Sequence, residues 1–327
     1  MSAPGSTGKG ARPSSSGRKG GRAPGLENTK VVFASPRRLP KASELDGRVV
    51  VLDIAFASEG LGKGFKKTTG KFITNLGARL ARWVDHHDHP AHVDFAKDAR
   101  FVLATKAEHG ACPEMIDEAL VRDTGPIDTI VAHFDLDGLY AAAKWLIGGA
   151  AIYPEADDDA RAVDTRIGTP SPEAARIDEA LRAHYRDEAL KQRILRYLVD
   201  GLRPGGDRQA IVDAAADYQR MAARARELAE AYVVEGELAT VQIPGGAGNF
   251  DKTELLLLGQ ERATVAVVVD GGNVSIAAPF DSGLDFVELL ELGGGMPTRV
   301  NVPRKRLDES LTRIRAALRR LEGERQG

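Results

Sequence analysis

The sequence predicts an α/β fold in which a domain with a mostly parallel sheet is followed by a helical connector and a smaller α/β domain. Short β-branched runs alternate with helical stretches from about residue 30, and this alternation is typical of parallel sheets covered by helices. The run Val49–Leu52 is apolar at every position, as expected for a strand that is buried on both faces. The 327 residues are enough for about two domains.

Five short runs rich in β-branched or aromatic residues predict the strands of the first domain. They are Val31–Phe33, Val49–Ile54, Arg82–Val84, Phe101–Leu103 and Thr129–Ala132. The stretch Leu139–Ile147 is apolar and rich in alanine, which predicts a buried helix that ends at Gly148.

Residues 172–236 are predicted to be mainly helical, with one helix that reaches about Leu202 and a second over Gln209–Val233. The run Pro204-Gly205-Gly206 separates the two helices. The apolar run Leu255–Leu258 fits either a strand or a buried helical turn, and its periodicity does not decide between them.

Strand patterns return in the last third of the chain and predict the second, smaller domain. The strand candidates are Ala239–Ile243, Ala263–Val269 and Asn273–Ala278, and the last helix has apolar residues from Leu307 to Leu321 on one face. These changes of pattern predict four segments: a disordered basic tail at 1–28, the first α/β domain at 29–204, a helical connector at 205–237 and the second domain at 238–327.

Composition narrows the functions that the chain can have. Residues 1–28 are rich in Ser, Gly, Pro, Lys and Arg, and such a segment buries too little apolar surface to offset its ordering entropy. The net charge of -2 excludes a globally basic nucleic-acid-binding protein. The longest apolar runs are far too short to span a bilayer. Because the chain has a single cysteine, Cys112, and no secretory signal pattern, we predict a cytoplasmic protein.

Three of the predicted strands end in side chains that can bind metal ions. Asp53 closes the first run, the triplet Asp-His-His at 85–87 follows the second, and the segment His-Phe-Asp-Leu-Asp-Gly at 133–138 follows the third and leads into a helix. Ligands of open α/β sheets collect at the carboxyl ends of the strands. We therefore expect the three clusters to converge on one crevice.

The spacing of the third cluster suits metal binding. Residues two apart in an extended segment point to the same side, so His133, Asp135 and Asp137 can face one centre, and Gly138 lets the backbone turn into the helix. Carboxylates packed together repel one another unless cations neutralise them. Mixed carboxylate and imidazole ligands suit Mn²⁺, with Mg²⁺ and Zn²⁺ as alternatives. Two such cations about 4 Å apart form a known phosphoryl-hydrolysis site.

This combination of motifs resembles the DHH phosphoesterase superfamily. That group includes RecJ-type single-strand exonucleases, oligoribonucleases, cyclic-dinucleotide phosphodiesterases and family II pyrophosphatases. The resemblance rests on Asp85-His86-His87 after an apolar strand, on the segment 133–138 before a helix, and on the strand-end Asp53. It implies a DHH-type catalytic domain in the first α/β segment.

The order of the motifs departs from the family pattern. In the family the D-x-D segment comes first, then the lone aspartate, then D-H-H, whereas here the order is Asp53, then 85–87, then 133–138. The resemblance therefore implies a circularly permuted domain, which is plausible where the original termini lay close together. The site stays intact only if the same strands remain neighbours.

The resemblance also implies a role for each site residue. Six residues would bind two divalent cations, Mn²⁺ by expectation with Mg²⁺ possible: His133, Asp135, Asp137, Asp53, His86 and Asp164. In this assignment His133 and Asp135 bind one cation, Asp53 bridges the pair, and the other three residues bind the second. His87 would contact the scissile phosphate or the leaving group, and Asp85 would orient a histidine. Asp164 has a helix cap as its alternative interpretation.

The second domain resembles the DHH-associated C-terminal domain, in which a glycine-rich loop contacts the substrate. The resemblance implies substrate binding by Gly293, Gly294, Gly295 and Arg299. Two family residues are absent. Met296 stands where a histidine is expected, and Ala277 and Ala278 follow Val274-Ser275-Ile276 where an arginine is expected. Arg299 is the candidate substitute, and a plain glycine turn is the alternative interpretation of the loop.

A lysine-rich stretch at 62–71 has two interpretations. Its glycine and lysine spacing does not match a phosphate-binding P-loop. Its lysines either contact phosphates near Asp53 or belong to a solvated basic loop, and we favour the solvated loop: Lys63, Lys66, Lys67 and Lys71.

We therefore predict a two-metal phosphodiesterase that hydrolyses short or single-stranded nucleic acid or dinucleotides in a cleft between the domains. One alternative is a pyrophosphatase or another small-phosphate hydrolase of the same superfamily. The other is a catalytically degenerate protein that binds nucleotide or RNA, which the two absent family residues would explain. The nearly complete ligand set favours the enzyme. The expected partner is a nucleotide or single-stranded substrate and no membrane, and a homodimer is possible.

Overall fold

The computed structural model describes residues 21–57, 64–279, 281–292 and 297–326, which form two α/β units with a five-stranded sheet in each. The strands of the first sheet are β1 (Lys30–Ala34), β2 (Val49–Leu52), β3 (Leu80–Asp85), β4 (Phe101–Leu103) and β5 (Thr129–His133). Their order is β1-β5-β2-β3-β4, and every neighbouring pair is parallel. The predicted α/β class with a mostly parallel sheet is confirmed.

Helices cover both faces of the first sheet and surround the second. Their bounds are α1 (Lys71–Leu76), α2 (Glu118–Thr124), α3 (Leu136–Leu146), α4 (Ala156–Thr165), α5 (Pro172–Ala183), α6 (Glu188–Val199), α7 (Gly206–Ala229), α8 (Lys252–Gln260), α9 (Phe286–Leu289) and α10 (Leu307–Gln326). A π-helical turn at Lys66–Gly70 precedes α1, and 3-10 turns occupy Ala42–Glu44, Gly77–Arg79, Pro90–Phe95, Cys112–Met115 and Arg304–Arg306. Within the described ranges, no helix combines the length and the apolar character needed to cross a membrane.

Strand β2 lies in the middle of the first sheet and is fully buried on both faces. Val50 and Leu52 pack with α3, whereas Val49 and Val51 pack with α1 on the opposite face. Because successive side chains of a strand alternate between faces, a strand covered by helices on both sides needs apolar residues at every position. This requirement explains the uninterrupted apolar run in the sequence.

The second sheet contains β6 (Val233–Glu235), β7 (Leu238–Gln242), β8 (Val265–Asp270), β9 (Asn273–Ala277) and β10 (Arg299–Pro303), in the order β10-β9-β8-β7-β6. Only the pair β7–β8 is parallel. Val267 and Ile276 pack on one face with Ile314 of α10, and Ala266 and Val268 pack on the other with α7 and α8. The second unit is thus a mixed sheet between helices.

Helix α3 joins the sheet to the rest of the first unit. All its residues from Leu136 to Leu146 are buried, and α6 packs along it. The carboxylate of Asp135 caps its first turn by accepting from the N–H of Gly138 at 3.4 Å. The helix that carries Asp137 is therefore held on all sides by the core.

The helical region departs from the prediction at two points. The helix expected to reach Leu202 is two helices, because the chain turns after Ala183 and Asp187 caps α6 by accepting from the N–H of Leu190 at 3.0 Å. The helix expected over Gln209–Val233 ends at Ala229, and Val233 begins β6.

The ambiguous and basic segments are both helical. Leu255–Leu258 lies in α8, which begins where the Asp251 carboxylate accepts from the N–H groups of Thr253 and Glu254. Lys66, Lys67 and Lys71 are exposed, as predicted, but they lie in the π-helical turn and at the start of α1 rather than in a loop, and Lys63 lies outside the described residues. A capping residue in front of the run, and not its periodicity, determines the helix at Leu255–Leu258.

The inner end of the predicted tail belongs to the folded unit. Leu26 is buried, the N–H of Ala23 donates to the Leu146 carbonyl at 2.8 Å, and the Arg22 guanidinium donates to the carbonyl of Thr29 at 2.5 Å. The prediction of disorder is wrong for residues 21–28, because Leu26 packs in the core, Ala23 is bonded to α3 and Arg22 is bonded to the residue before β1. Residues 1–20 lie outside the described ranges. The other predicted domain limits stay predictions.

Candidate metal centre

The three polar clusters meet at one edge of the first sheet. Asp53 follows β2, Asp85 is the last residue of β3, and His133 is the last residue of β5. Strand β2 lies between β5 and β3, and all three run parallel. Their carboxyl ends therefore face the same crevice, although the motifs occur in a permuted order along the chain.

Asp53 occupies the middle of this crevice. Its side chain is fully buried, and its backbone has φ 57, in the left-handed region that Asp and Asn adopt more readily than other side chains. The Asp53 N–H donates to the Val84 carbonyl at 2.9 Å and fixes the residue beside β3. Its Oδ1 is 3.3 Å from Nε2 of His86, and its Oδ2 is 3.5 Å from Nδ1 of His133. The carboxylate thus faces a histidine on each side.

The six predicted ligands fall into two groups, of which the first contains Asp53 and the second lies beside it. In the first group, Asp53, His133 and Asp135 have ligand atoms that all lie within 4.8 Å of one another. The shortest separation is 2.6 Å, between His133 Nδ1 and Asp135 Oδ2.

The second group consists of His86, Asp137 and Asp164, whose ligand atoms also lie within 4.8 Å of one another. Nε2 of His86 is 3.3 Å from Asp137 Oδ2 and 3.9 Å from Asp164 Oδ2. Asp164 lies in the last turn of α4, so its carboxylate does not cap the start of that helix. Asp53 also forms a third group with the two histidines at 86 and 87.

The polar atoms of the crevice fit divalent cations. Both carboxylate oxygens of Asp53, Nε2 of His86, Nδ1 of His133 and Oδ2 of Asp164 are buried without a well-formed hydrogen bond within the described residues. Buried polar atoms without partners are costly. A cation between them would satisfy carboxylate and imidazole groups together, and this donor set suits Mn²⁺ or Mg²⁺.

A backbone carbonyl fixes the tautomer of His86. Its Nδ1 is 2.9 Å from the carbonyl oxygen of His109. Because a carbonyl only accepts, Nδ1 carries the proton in the neutral ring, and the lone pair of Nε2 faces Asp53 and Asp137. This orientation is the one that a metal-binding histidine requires.

Burial and neighbouring charges shift the pKa values of the predicted ligands. Burial, together with the charges of Asp137 and Asp135, raises the pKa of Asp53 to about 7. Burial alone would lower the pKa of His86, but its contacts with Asp137 and Asp53 raise that pKa to about 11. Burial also opposes ionisation of Asp135, yet the charge of His133 lowers the Asp135 pKa to about 2. A bound cation must displace protons from this cluster.

Metal binding is therefore expected to strengthen as pH rises through about 7. Proton loss from Asp53 exposes a full negative charge to the cation, and each histidine must be neutral to bind. Calorimetric titration with Mn²⁺ between about pH 6 and pH 8, in buffers of different ionisation enthalpy, measures both affinity and proton release. An affinity that is constant across this interval would contradict the assignment of Asp53 as a ligand.

His87 and Asp85 form a pair at the open side of the crevice. Nδ1 of His87 is 2.9 Å from Oδ1 of the buried Asp85, while 31% of the His87 side chain is exposed. Burial would lower the His87 pKa, but the Asp85 carboxylate raises it to about 9. Asp85 thus orients a histidine that lies beside the predicted ligand groups and reaches solvent.

Two groups in the crevice were not predicted. The Lys106 ammonium lies 2.8 Å from Oδ2 of Asp164, and the His109 backbone acts on His86 through its carbonyl. Lys106 stands in no motif, and a backbone carbonyl has no sequence signal. The N–H of Cys112 also donates to Asp137 at 3.4 Å, so the segment 106–112 supports the second ligand group.

The predicted substrate residues of the second unit are only partly described. Gly293, Gly294 and Gly295 lie outside the described residues. Arg299 is in β10, and its guanidinium donates to Thr253 Oγ1 at 3.0 Å. Within the described residues, no hydrogen bond or ion pair links Arg299 to the ligand groups. Burial lowers its pKa, as do the positive charges of Arg182 and Arg166.

Comparisons with known proteins give structural similarities only. No protein-family model matches the sequence. No curated protein matches it either.

Solved structures similar to the chain include a pGpG-specific phosphodiesterase, PggH, from Vibrio cholerae, which is 9% identical with a TM-score of 0.41 over 84% of this chain and 99% of that one. Exonuclease RecJ bound to manganese is 14% identical with a TM-score of 0.44 over 83% of this chain and 75% of RecJ. RecJ in complex with Mg²⁺ from Thermus thermophilus is 16% identical with a TM-score of 0.42, over 85% of this chain and 50% of that one.

Proposed function

We propose that this protein is a phosphodiesterase that uses two divalent cations, with Mn²⁺ as the expected metal, to hydrolyse dinucleotides or short single-stranded nucleic acid. The observation that supports this proposal is the pair of ligand groups at the buried Asp53, in which several carboxylate and imidazole atoms are buried without a well-formed hydrogen bond among the described residues. The carboxylates of these groups lie so close together that they repel one another unless protons or cations neutralise their charge.

The chemistry divides between the cations and the side chains. Two bound cations would acidify an attacking water and neutralise charge on the phosphate. His87, polarised by Asp85 and open to solvent, is suited to donate a proton to a phosphate oxygen or to the leaving oxygen. Lys106 supplies a further positive charge at the second ligand group. These residues would hold the substrate phosphate in the crevice.

Replacing His87 by glutamine is expected to lower kcat by about 10² to 10⁴, the usual contribution of a proton donor. Metal affinity should change little, because His87 belongs to neither of the two groups assigned to the cations. The matched control is His184→Gln, since His184 is also paired with an aspartate, with its Nε2 2.7 Å from Asp217, but lies at the end of α5. Equal activities of the two variants would exclude the role of His87.

A substrate panel tests the function itself. The purified protein should release mononucleotide from a dinucleotide and from single-stranded oligonucleotides when Mn²⁺ or Mg²⁺ is added, and a chelator should stop the reaction. Phosphate release from pyrophosphate alone would favour the pyrophosphatase alternative. The absence of cleavage with every substrate and metal would favour the catalytically degenerate alternative. A cytoplasmic location and a homodimer stay predictions of the sequence.

A further inference from the structure

A strongly basic cleft of about 950 Å³ lies between the segment after β1 and the helical residues before and within α1. We call it the basic cleft and define it by the cations that line it: Arg37, Arg38, Lys41, Lys67, Lys71 and Arg79. No aspartate or glutamate is among its lining residues within the described ranges. The whole chain has 47 acidic and 45 basic residues, so composition alone does not explain this separation of charge.

Four of the six cations are available to an external anion. Lys41 is 3.1 Å from Glu44, and the Arg79 guanidinium donates to the carbonyls of Ala42 and Leu45 at 2.5 and 2.8 Å. The others have no acidic partner among the residues that the structure describes: Arg37, Arg38, Lys67 and Lys71. Unpaired cations gathered in a cleft attract anions, because their fields add and the low-dielectric walls focus them.

Two chain segments connect the cleft to the carboxyl edge of the first sheet. The last residue of β1, Ala34, pairs with His133 in the parallel ladder, and the cleft wall starts two residues later at Pro36. Ala57 lines the cleft four residues after Asp53, and its N–H donates to Oγ1 of Thr69 at 2.9 Å. The chain that leaves β1 and the chain that leaves β2, the two strands on either side of β5, therefore both lead to the cleft.

The arrangement of the cations suits a phosphodiester backbone. Lys67 and Lys71 are four residues apart in helical backbone and so lie on the same side of it. Arg37 and Arg38 line the cleft from the segment after β1. Phe72 is the only aromatic residue among the described lining residues, and it is buried. Backbone contacts without base stacking are independent of sequence.

We propose that the basic cleft binds the backbone of a single-stranded nucleic acid on one side of the phosphate that is cleaved. The inference rests on the proposed function and extends it, because it makes strands longer than a dinucleotide the preferred substrates. A volume of about 950 Å³ accommodates a few nucleotides of one strand rather than a double helix. DNA and RNA share the backbone chemistry that the cations recognise.

Binding to metal-free protein tests this proposal without hydrolysis. The test variant is Arg37→Gln/Lys67→Gln/Lys71→Gln, and the probes are labelled single strands of DNA and of RNA, each about twelve nucleotides long. The control variant Lys97→Gln/Arg203→Gln/Lys305→Gln has the same change of net charge at exposed positions outside the cleft. Thermal melting checks that both variants remain folded.

We expect the test variant to bind the strands at least about 10-fold more weakly than the control at low salt. The slope of log affinity against log salt should fall by about 2, since each lost phosphate contact on a single strand removes about 0.7. The control should match the parent. With metal present, the test variant should show a lower ratio of kcat/KM for the strands to kcat/KM for the dinucleotide. This ratio should fall by a similar factor, because KM for the strands rises.

The two proposals fail in different ways. If the test variant keeps the affinity and salt slope of the control, or if the parent binds neither strand, the role of the cleft is overturned, even where dinucleotide hydrolysis is observed. If binding depends on the cleft but no substrate is hydrolysed, the cleft proposal stands and the phosphodiesterase proposal fails.

Discussion

Replacing Asp53 by asparagine is expected to reduce hydrolysis by at least about 10³-fold, because the variant loses a carboxylate that belongs to one ligand group and faces His86 of the other. The neutral amide has one oxygen to offer where the carboxylate has two, and its NH₂ group cannot bind a cation. Mn²⁺ should raise the melting temperature of the parent and leave that of the variant almost unchanged. The control is Asp94→Asn, at an exposed aspartate outside the ligand groups.

The same substitution should not destabilise the metal-free protein. Burial and the neighbouring carboxylates raise the pKa of Asp53 to about 7, above the value of about 3.9 expected in the unfolded chain. The unfolded state loses this proton first, so the contribution of Asp53 to stability declines as pH rises from about 4 to about 7. At about pH 8 the buried carboxylate is ionised and its full destabilisation is present, whereas a neutral asparagine does not cause this destabilisation. Thermal melts with chelator at this pH measure the effect; a large loss of stability would show that Asp53 has a structural role.

Replacing Gly138 by alanine is expected to lower the free energy of unfolding by roughly 2–4 kcal/mol. A Cβ atom at this position would lie 2.5 Å from the carbonyl oxygen and 2.8 Å from the carbonyl carbon of His133. The clash is with backbone, so β5 and α3 would have to move apart. His133 and Asp135 would shift with them, and we expect Mn²⁺ affinity to fall at least about 10-fold.

The control for this variant is Gly206→Ala, at the start of α7. A Cβ atom there would meet nothing within 4 Å, and alanine favours the helix. Urea unfolding of both variants, with and without Mn²⁺, measures stability and metal linkage in one experiment. Equal stability of Gly138→Ala and the parent would mean that the turn between β5 and α3 accommodates a side chain.

Much of the first sheet was predictable because its strands are short, apolar and followed by polar clusters. The uninterrupted apolar run Val49–Leu52 indicated a central strand, and its residues do pack in the cores on both faces of the sheet. Gly138 was predicted to serve a tight turn through its conformational freedom. Its φ is not positive in the structure; the glycine is needed because the His133 backbone approaches it closely.

The features that the sequence did not predict depend on long-range or backbone contacts. Lys106 meets Asp164 from a segment without a motif, and the support of His86 comes from a carbonyl, which every residue has. The break between α5 and α6 depends on a cap at Asp187 within an otherwise helical pattern. The left-handed backbone of Asp53 accompanies a hydrogen bond from its N–H to Val84 of β3, and the neighbouring residues in the sequence do not indicate it.

The left-handed backbone at Asp53 limits which residues related sequences can have at this position. A β-branched or bulky residue at position 53 would strain the turn, so mutation can replace the aspartate at low structural cost only by asparagine or glycine. Either replacement would preserve the turn and remove the carboxylate that we predict to bind the cations. In an alignment, the residue at this position would thus distinguish relatives that have kept the proposed activity from relatives that have kept only the fold.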